Sequence, residues 1–170
     1  MRIRILWGPL LIACDPGASG GFVIVDDRRT QKLLGILPGK VHARTFTKRV
    51  QECLERYCEK GEKVICVIED VHGVRGQSNK DTFTFGWWTG RCHNLLEIVS
   101  GEYVREMAPQ EWMRYLNVPS SAEKDRKNFI RDKMTFFFRD FGALPLWASD
   151  AAGLAWAYMK KQGCIAQMSV

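Results

Sequence analysis

The stretch that most constrains this chain runs Leu10-Leu11-Ile12-Ala13-Cys14-Asp15-Pro16-Gly17-Ala18-Ser19-Gly20-Gly21-Phe22-Val23-Ile24-Val25. Two apolar runs flank a short Gly-rich turn, the pattern of a buried strand, a tight hairpin and a second strand. Asp15 is the odd residue. A carboxylate closing an apolar run is costly unless a cation or hydrogen bonds hold it. Gly17, Gly20 and Gly21 let the backbone turn sharply and let a ligand come close. Taken alone, the stretch is equally well explained as a turn with a capping Asp.

The 170 residues suit one domain with a real core, spanning 1–170 without internal repeat, low-complexity segment or linker. With 46% hydrophobic and 26% charged residues, a disordered chain is excluded. The formal charge of +6 favours a polyanionic partner, nucleic acid above all. Six cysteines, Cys14, Cys53, Cys58, Cys66, Cys92 and Cys164, form no Cys-x-x-Cys pair, and several sit in apolar runs. They read as reduced, buried thiols of a cytoplasmic protein rather than a disulfide or zinc framework. Met1 to Trp7 has the charge and apolar character of a leader but runs straight into the first strand without a small-residue cleavage site. No run reaches membrane-spanning length.

Further along, Leu33–Leu37 completes an antiparallel meander after a polar turn at Asp26–Thr30. Phe46, Val50, Cys53, Leu54 and Tyr57 define one face of a helix over Thr45–Lys60, closed by Gly61. Val64–Ile68 is an uninterrupted apolar run, expected as a central strand parallel to the first. His72–Thr82 reads as a loop, Phe83–Val99 as a helix and Gly101–Met107 as an edge strand. A short helix opens at Pro109. Another starts at Ser120–Lys127 with a capping box and runs on through Phe138. The last starts with Ser149 as its cap and Asp150 in its first turn.

Three acids stand out in this layout: Asp15 ending the first strand, Glu69 ending the buried strand, and Asp150 opening the last helix. If the two strands are parallel neighbours and the helix packs on them, the acids share one crevice. Converging carboxylates repel one another unless cations are present. Oxygen-rich clusters suit Mg²⁺ or Mn²⁺, and two such ions about 3.5–4 Å apart are suited to phosphodiester cleavage. Taken singly, Glu69 could be a strand-end acid paired with a Lys, and Asp150 a first-turn charge favoured by the helix dipole.

Asp15-Pro16-Gly17 with Gly20-Gly21, then Ile68-Glu69-Asp70-Val71, then Ser149-Asp150-Ala151-Ala152-Gly153-Leu154-Ala155 together resemble the RuvC family of Holliday-junction resolvases, most of all compact phage RuvC-like endonucleases. The resemblance spans Ile12 to Met159. It implies an α/β, RNase H-like fold: a five-stranded mixed sheet with helices on both faces. It also implies a homodimer that uses Mg²⁺ or Mn²⁺ to cut branched DNA in recombination and repair. Asp15, Glu69 and Asp150 fall on the family's metal ligands. Ser121-Ala122-Glu123-Lys124 is similar to a segment of bacterial members, which makes Lys124 the basic residue near the scissile phosphate.

Two positions depart from the family. The place three residues after the helix Asp, usually acidic, is Gly153; His72 stands where bacterial members carry an aromatic wedge. Three carboxylates then suffice, or Asp70 or a neighbour compensates, or activity is weakened. Together with His72, Lys80, Arg91, Lys124, Arg126 and Lys127 are candidate DNA contacts, although each is by default a solvated charge. Arg131 and Lys133 extend the basic group. Of Trp87 and Trp88, one is expected in the core and the other at a dimer interface or against a base; Phe136–Phe138 is expected in the core. Competing functions are a less selective RNase H-like nuclease and a junction-binding protein with weakened catalysis. A sugar-kinase or actin-like ATPase is disfavoured because a second Gly-rich loop is missing.

Overall fold

A computed structural model describes residues 10–26, 31–58, 64–71, 78–101, 103–119 and 125–164. Strands β1 (Leu10–Asp15), β2 (Gly21–Asp26) and β3 (Leu33–Pro38) form the meander. Helix α1 (Ala43–Tyr57) leads to β4 (Val64–Glu69), α2 (Asn79–Ser100) to the edge strand β5 (Arg105–Met107), and α3 (Pro109–Tyr115), α4 (Arg126–Phe137) and α5 (Ser149–Lys161) follow. The sheet order is β3-β2-β1-β4-β5. β1 pairs antiparallel with β2 and parallel with β4, so this is the expected five-stranded mixed sheet.

The alternation of strand side chains divides the core into two layers. Leu10, Ile12, Cys14, Cys66 and Ile68 pack against α1 and α2, with Phe46, Val50, Leu95 and Leu96. Leu11, Ala13 and Val67 pack on the opposite face, against α3, α4 and α5. Helices therefore cover both faces, and a strand as uniformly apolar as β1 needs both. α5 is buried along Ser149–Met159, which fits its nearly continuous apolar sequence. Phe137 stacks on Trp156 of α5 with ring centroids 3.8 Å apart, and Phe138 is buried; Phe136 points to solvent.

Several boundaries differ from the sequence expectation. α1 ends at Tyr57 rather than Gly61, because Cys58 leaves the helix in an extended conformation while its amide still bonds Leu54. α2 begins at Asn79, inside the expected loop: Ser78 caps it, accepting from the Asp81 amide and donating to the Asp81 carboxylate. Gly101, at φ 62, closes α2 in the left-handed conformation, and the edge strand is three residues long, Arg105–Met107. Ser149 is not a cap. A 3-10 turn at Leu146–Ala148 precedes α5, and the Ser149 hydroxyl donates to the Leu146 carbonyl at 2.7 Å. The capping box at Ser120–Lys124 lies outside the described residues. No described helix is long and apolar enough to cross a membrane.

Candidate metal and nucleic-acid site

Strand parity sets the site. Asp15 follows Leu11 and Ala13 at every second position, and Glu69 follows Ile65 and Val67, so both acids belong to the face covered by α5. β1 and β4 are in register through Cys14 and Ile68, which places Asp15 and Glu69 side by side at the next step. The turn after Asp15 folds tightly back: a Cβ on Gly20 would stand 2.1 Å from the Asp15 carbonyl oxygen. A Cβ on Gly21 would strike the Trp147 ring at 2.7 Å. Trp147 thereby seats the entry to α5 against the carboxyl end of β1, and Asp150 comes in with the first turn. On the far side of β1 the Cys14 thiol hydrogen-bonds to Cys92 of α2, and the Gly17 amide also donates to Cys92.

The three acids feel one another. Burial, then the Glu69 and Asp150 carboxylates, push Asp15 from 3.8 up to about 8. Burial also raises Glu69; the Trp112 indole, donating to its Oε1 at 2.8 Å, opposes that shift, and Asp150 adds to it. Asp150 is only 7% exposed. Its Oδ2 lies 3.4 Å from the Lys127 ammonium, and its buried Oδ1 has no hydrogen-bond partner among the described residues.

As they stand, no three His, Cys, Asp or Glu side chains among the described residues form a ready-made metal cage. Mg²⁺ does not require one, since it usually takes one or two carboxylates and completes its shell with water and substrate phosphate. The residues fit a hard cation on two grounds. The chemistry is all-oxygen, and a buried acid with an unsatisfied oxygen beside two further carboxylates has a charge to neutralise.

Of the basic candidates, Lys127 is an ion-pair partner of Asp150, and its charge also lowers Asp15 and Glu69. Arg126 is exposed at the start of α4 and favours the charged form of Glu69. Lys80 is exposed in the first turn of α2. Arg91 is half-buried: its guanidinium donates to the Val41 carbonyl and lies 5.9 Å and 5.1 Å from the Trp87 and Trp88 ring centres. Of the two tryptophans, Trp88 is half-buried and Trp87 is 54% exposed. Lys133 donates to the Leu116 carbonyl at the end of α3. His72 and Lys124 lie outside the described residues. Trp112 is the site neighbour that sequence reading missed. It stands 43 positions from Glu69, and nothing local marks its ring nitrogen as a donor.

The architecture and strand order are those of an RNase H-like α/β fold. No protein-family model and no curated protein sequence matches the chain. Solved structures do. RuvC from Thermus thermophilus in complex with a Holliday-junction substrate superposes with a TM-score of 0.58 at 17% identity, covering 91% of this chain and 96% of that one. A second Thermus thermophilus RuvC structure gives 0.57 at 18% identity, with the same coverage. The chain therefore has the RuvC-like fold.

Proposed function

We propose that this protein is a metal-dependent, structure-selective endonuclease that hydrolyses phosphodiester bonds in branched DNA, four-way junctions above all. What supports this reading is that Asp15 and Glu69 end neighbouring parallel strands side by side and Asp150 enters on α5, near enough that burial and the neighbouring acids push Asp15 and Glu69 upward. The RuvC-like fold, seen elsewhere on a Holliday junction, supports it. Asp15, Glu69 and Asp150 would hold Mg²⁺ or Mn²⁺, two ions per site, supplying water activation and stabilisation of the leaving oxygen.

The chain's own residues do the rest. Crowded carboxylates make the empty site costly and so favour divalent cations over water. Lys127 partly neutralises Asp150 and is placed to turn toward a phosphate once the acids are otherwise satisfied. Arg126 and Lys80 offer backbone contacts, as would Lys124 and His72, so affinity is expected to fall steeply with salt. We propose a homodimer, since Phe83, Trp87 and Ile98 are exposed along one side of α2 and self-association would cover them.

A strand-labelled four-way junction, incubated with and without Mg²⁺ beside flap, fork, RNA–DNA hybrid and linear duplex, tests the proposal. Metal-dependent cutting confined to branched DNA supports it. Equal cutting of hybrid and junction favours a less selective nuclease. Tight binding in EDTA without cutting in Mg²⁺ or Mn²⁺ favours a junction-binding protein, a reading motivated by the absence of an acid at Gly153.

A further inference from the structure

One buried ring touches both unusual features of the site. Trp112 of α3 is 2% exposed, and its Nε1 donates to Glu69 Oε1 at 2.8 Å. The other edge of the same indole lies over Gly153 of α5. A Cβ there would stand 3.0 Å from Trp112 Cζ3, 2.9 Å from Leu116 Cδ1 and 3.2 Å from Ile130 Cγ2. Glycine costs helix stability in mid-helix, and Gly153 has no positive φ to explain it. The crowding above it gives a reason: a side chain at 153 would press on Leu116, Ile130 and the indole that reaches Glu69.

We propose that Trp112 is a positioning residue of the candidate metal site, fixing Glu69 through Oε1 so that Oε2 is the oxygen left for a cation, and that Gly153 serves to seat it. The inference rests on the metal-dependent reading above. A carboxylate at the end of a strand has two free torsions beyond Cβ. A hydrogen bond from a rigid, buried donor removes that freedom before the ligand arrives, as outer-shell donors do in metal sites generally. The indole N–H is uncharged, so it orients Glu69 without competing for the site as a lysine would. It also means that an acid at position 153 is not simply missing here. The space is filled by three apolar side chains, and the site has exchanged a fourth carboxylate for a neutral clamp on the third.

The plain alternative is a core tryptophan whose ring nitrogen happens to find a partner. Trp112→Phe in the full-length chain separates the two, because it keeps the aromatic packing and deletes the donor. Mn²⁺ binding is read by electron paramagnetic resonance on protein without DNA, and the indole N–H resonances by ¹⁵N NMR during Mg²⁺ titration. For a positioning residue, Trp112→Phe stays folded and binds Mn²⁺ about tenfold more weakly. In the wild type, the indole resonance that the variant lacks moves as Mg²⁺ is added. Gly153→Ala, which crowds the ring without removing the donor, is expected to weaken Mn²⁺ binding although alanine is the better helix former. Equal Mn²⁺ affinity in wild type and Trp112→Phe, with an indole resonance indifferent to Mg²⁺, overturns the role and leaves the nuclease reading standing. A wild type that takes up no Mn²⁺ overturns the nuclease reading and this role with it. If Trp112→Phe fails to fold, the wild-type resonance and Gly153→Ala decide by the same criteria.

Discussion

Replacing Asp15 by Asn should stabilise the metal-free protein, against the usual expectation for a substitution at a buried strand end. In the unfolded chain the Asp15 carboxyl loses its proton near pH 4. In the folded protein, burial and the two neighbouring acids hold the proton until about pH 8. An acid whose value is raised by folding opposes folding as it ionises. The penalty is therefore absent below about pH 4, grows through the interval between, and is complete above about pH 8. At ~1.4 kcal/mol per pH unit the ceiling is ~6 kcal/mol. Asp15 retains some solvent contact, so ~2 kcal/mol at pH 9 is the working figure after screening by water. For a chain of this length that corresponds to ~4–8 °C in melting temperature. Thermal melts in EDTA should show the wild type losing stability between pH 5 and 9, with Asp15→Asn flatter and higher at the alkaline end. Mg²⁺ should then reverse the order, since saturation to 100 times the dissociation constant adds ~2.7 kcal/mol to whichever protein binds it. Asp15→Asn should also abolish cutting while junction binding persists. A wild-type melting temperature independent of pH, equal to that of the variant throughout, would refute the premise that the three acids crowd one another.

Lys127→Ala removes the half-exposed cation beside Asp150; metal-free stability should fall by ~1 kcal/mol while Mn²⁺ affinity rises, both readable by melts and titration. A loss of Mn²⁺ affinity would show that Lys127 is not a stand-in for the metal charge. Lys124→Ala should slow single-turnover cleavage more than it weakens junction binding; an unchanged rate removes it from the chemistry. Phe137→Ala deletes the ring stacked on Trp156 and should cost ~3 kcal/mol in denaturant melts, with the Mn²⁺ affinity of the folded protein unchanged.

The sheet and two of the three acids were legible because their signals are local. Leu10–Cys14 and Val64–Ile68 are continuous apolar runs ended by a charge, and parity along each strand fixes the face of that charge. The third acid was legible as a helix start, but its cap was misread. Serine before an acid is the usual N-terminal pattern, and only the preceding 3-10 turn redirects the Ser149 hydroxyl to Leu146. α2 begins earlier than expected because the polar, Gly-containing run before Phe83 looks like loop, whereas Ser78 and Asp81 supply the cap. Arg91 read as a surface cation, yet its partners are a carbonyl fifty positions away and two aromatic rings. The Trp112–Glu69 bond and the reason for Gly153 are long-range facts, and no periodicity carries them.

The two-layer core gives β1 an unusual sensitivity to length. Neighbouring residues on this strand look into different compartments, Cys14 toward α1 and α2 and Asp15 toward α5. Removing one residue between Leu10 and Ala13, with β4 held in place, swaps the faces of the two: the carboxylate turns into the apolar layer under α1 and α2, and the thiol turns to the α5 side at the level of Ala13, leaving Pro16 where the acid stood. Single-residue deletions here are thus a sharper probe than most substitutions, because they change the direction in which the chain's chemistry faces while leaving its composition almost untouched.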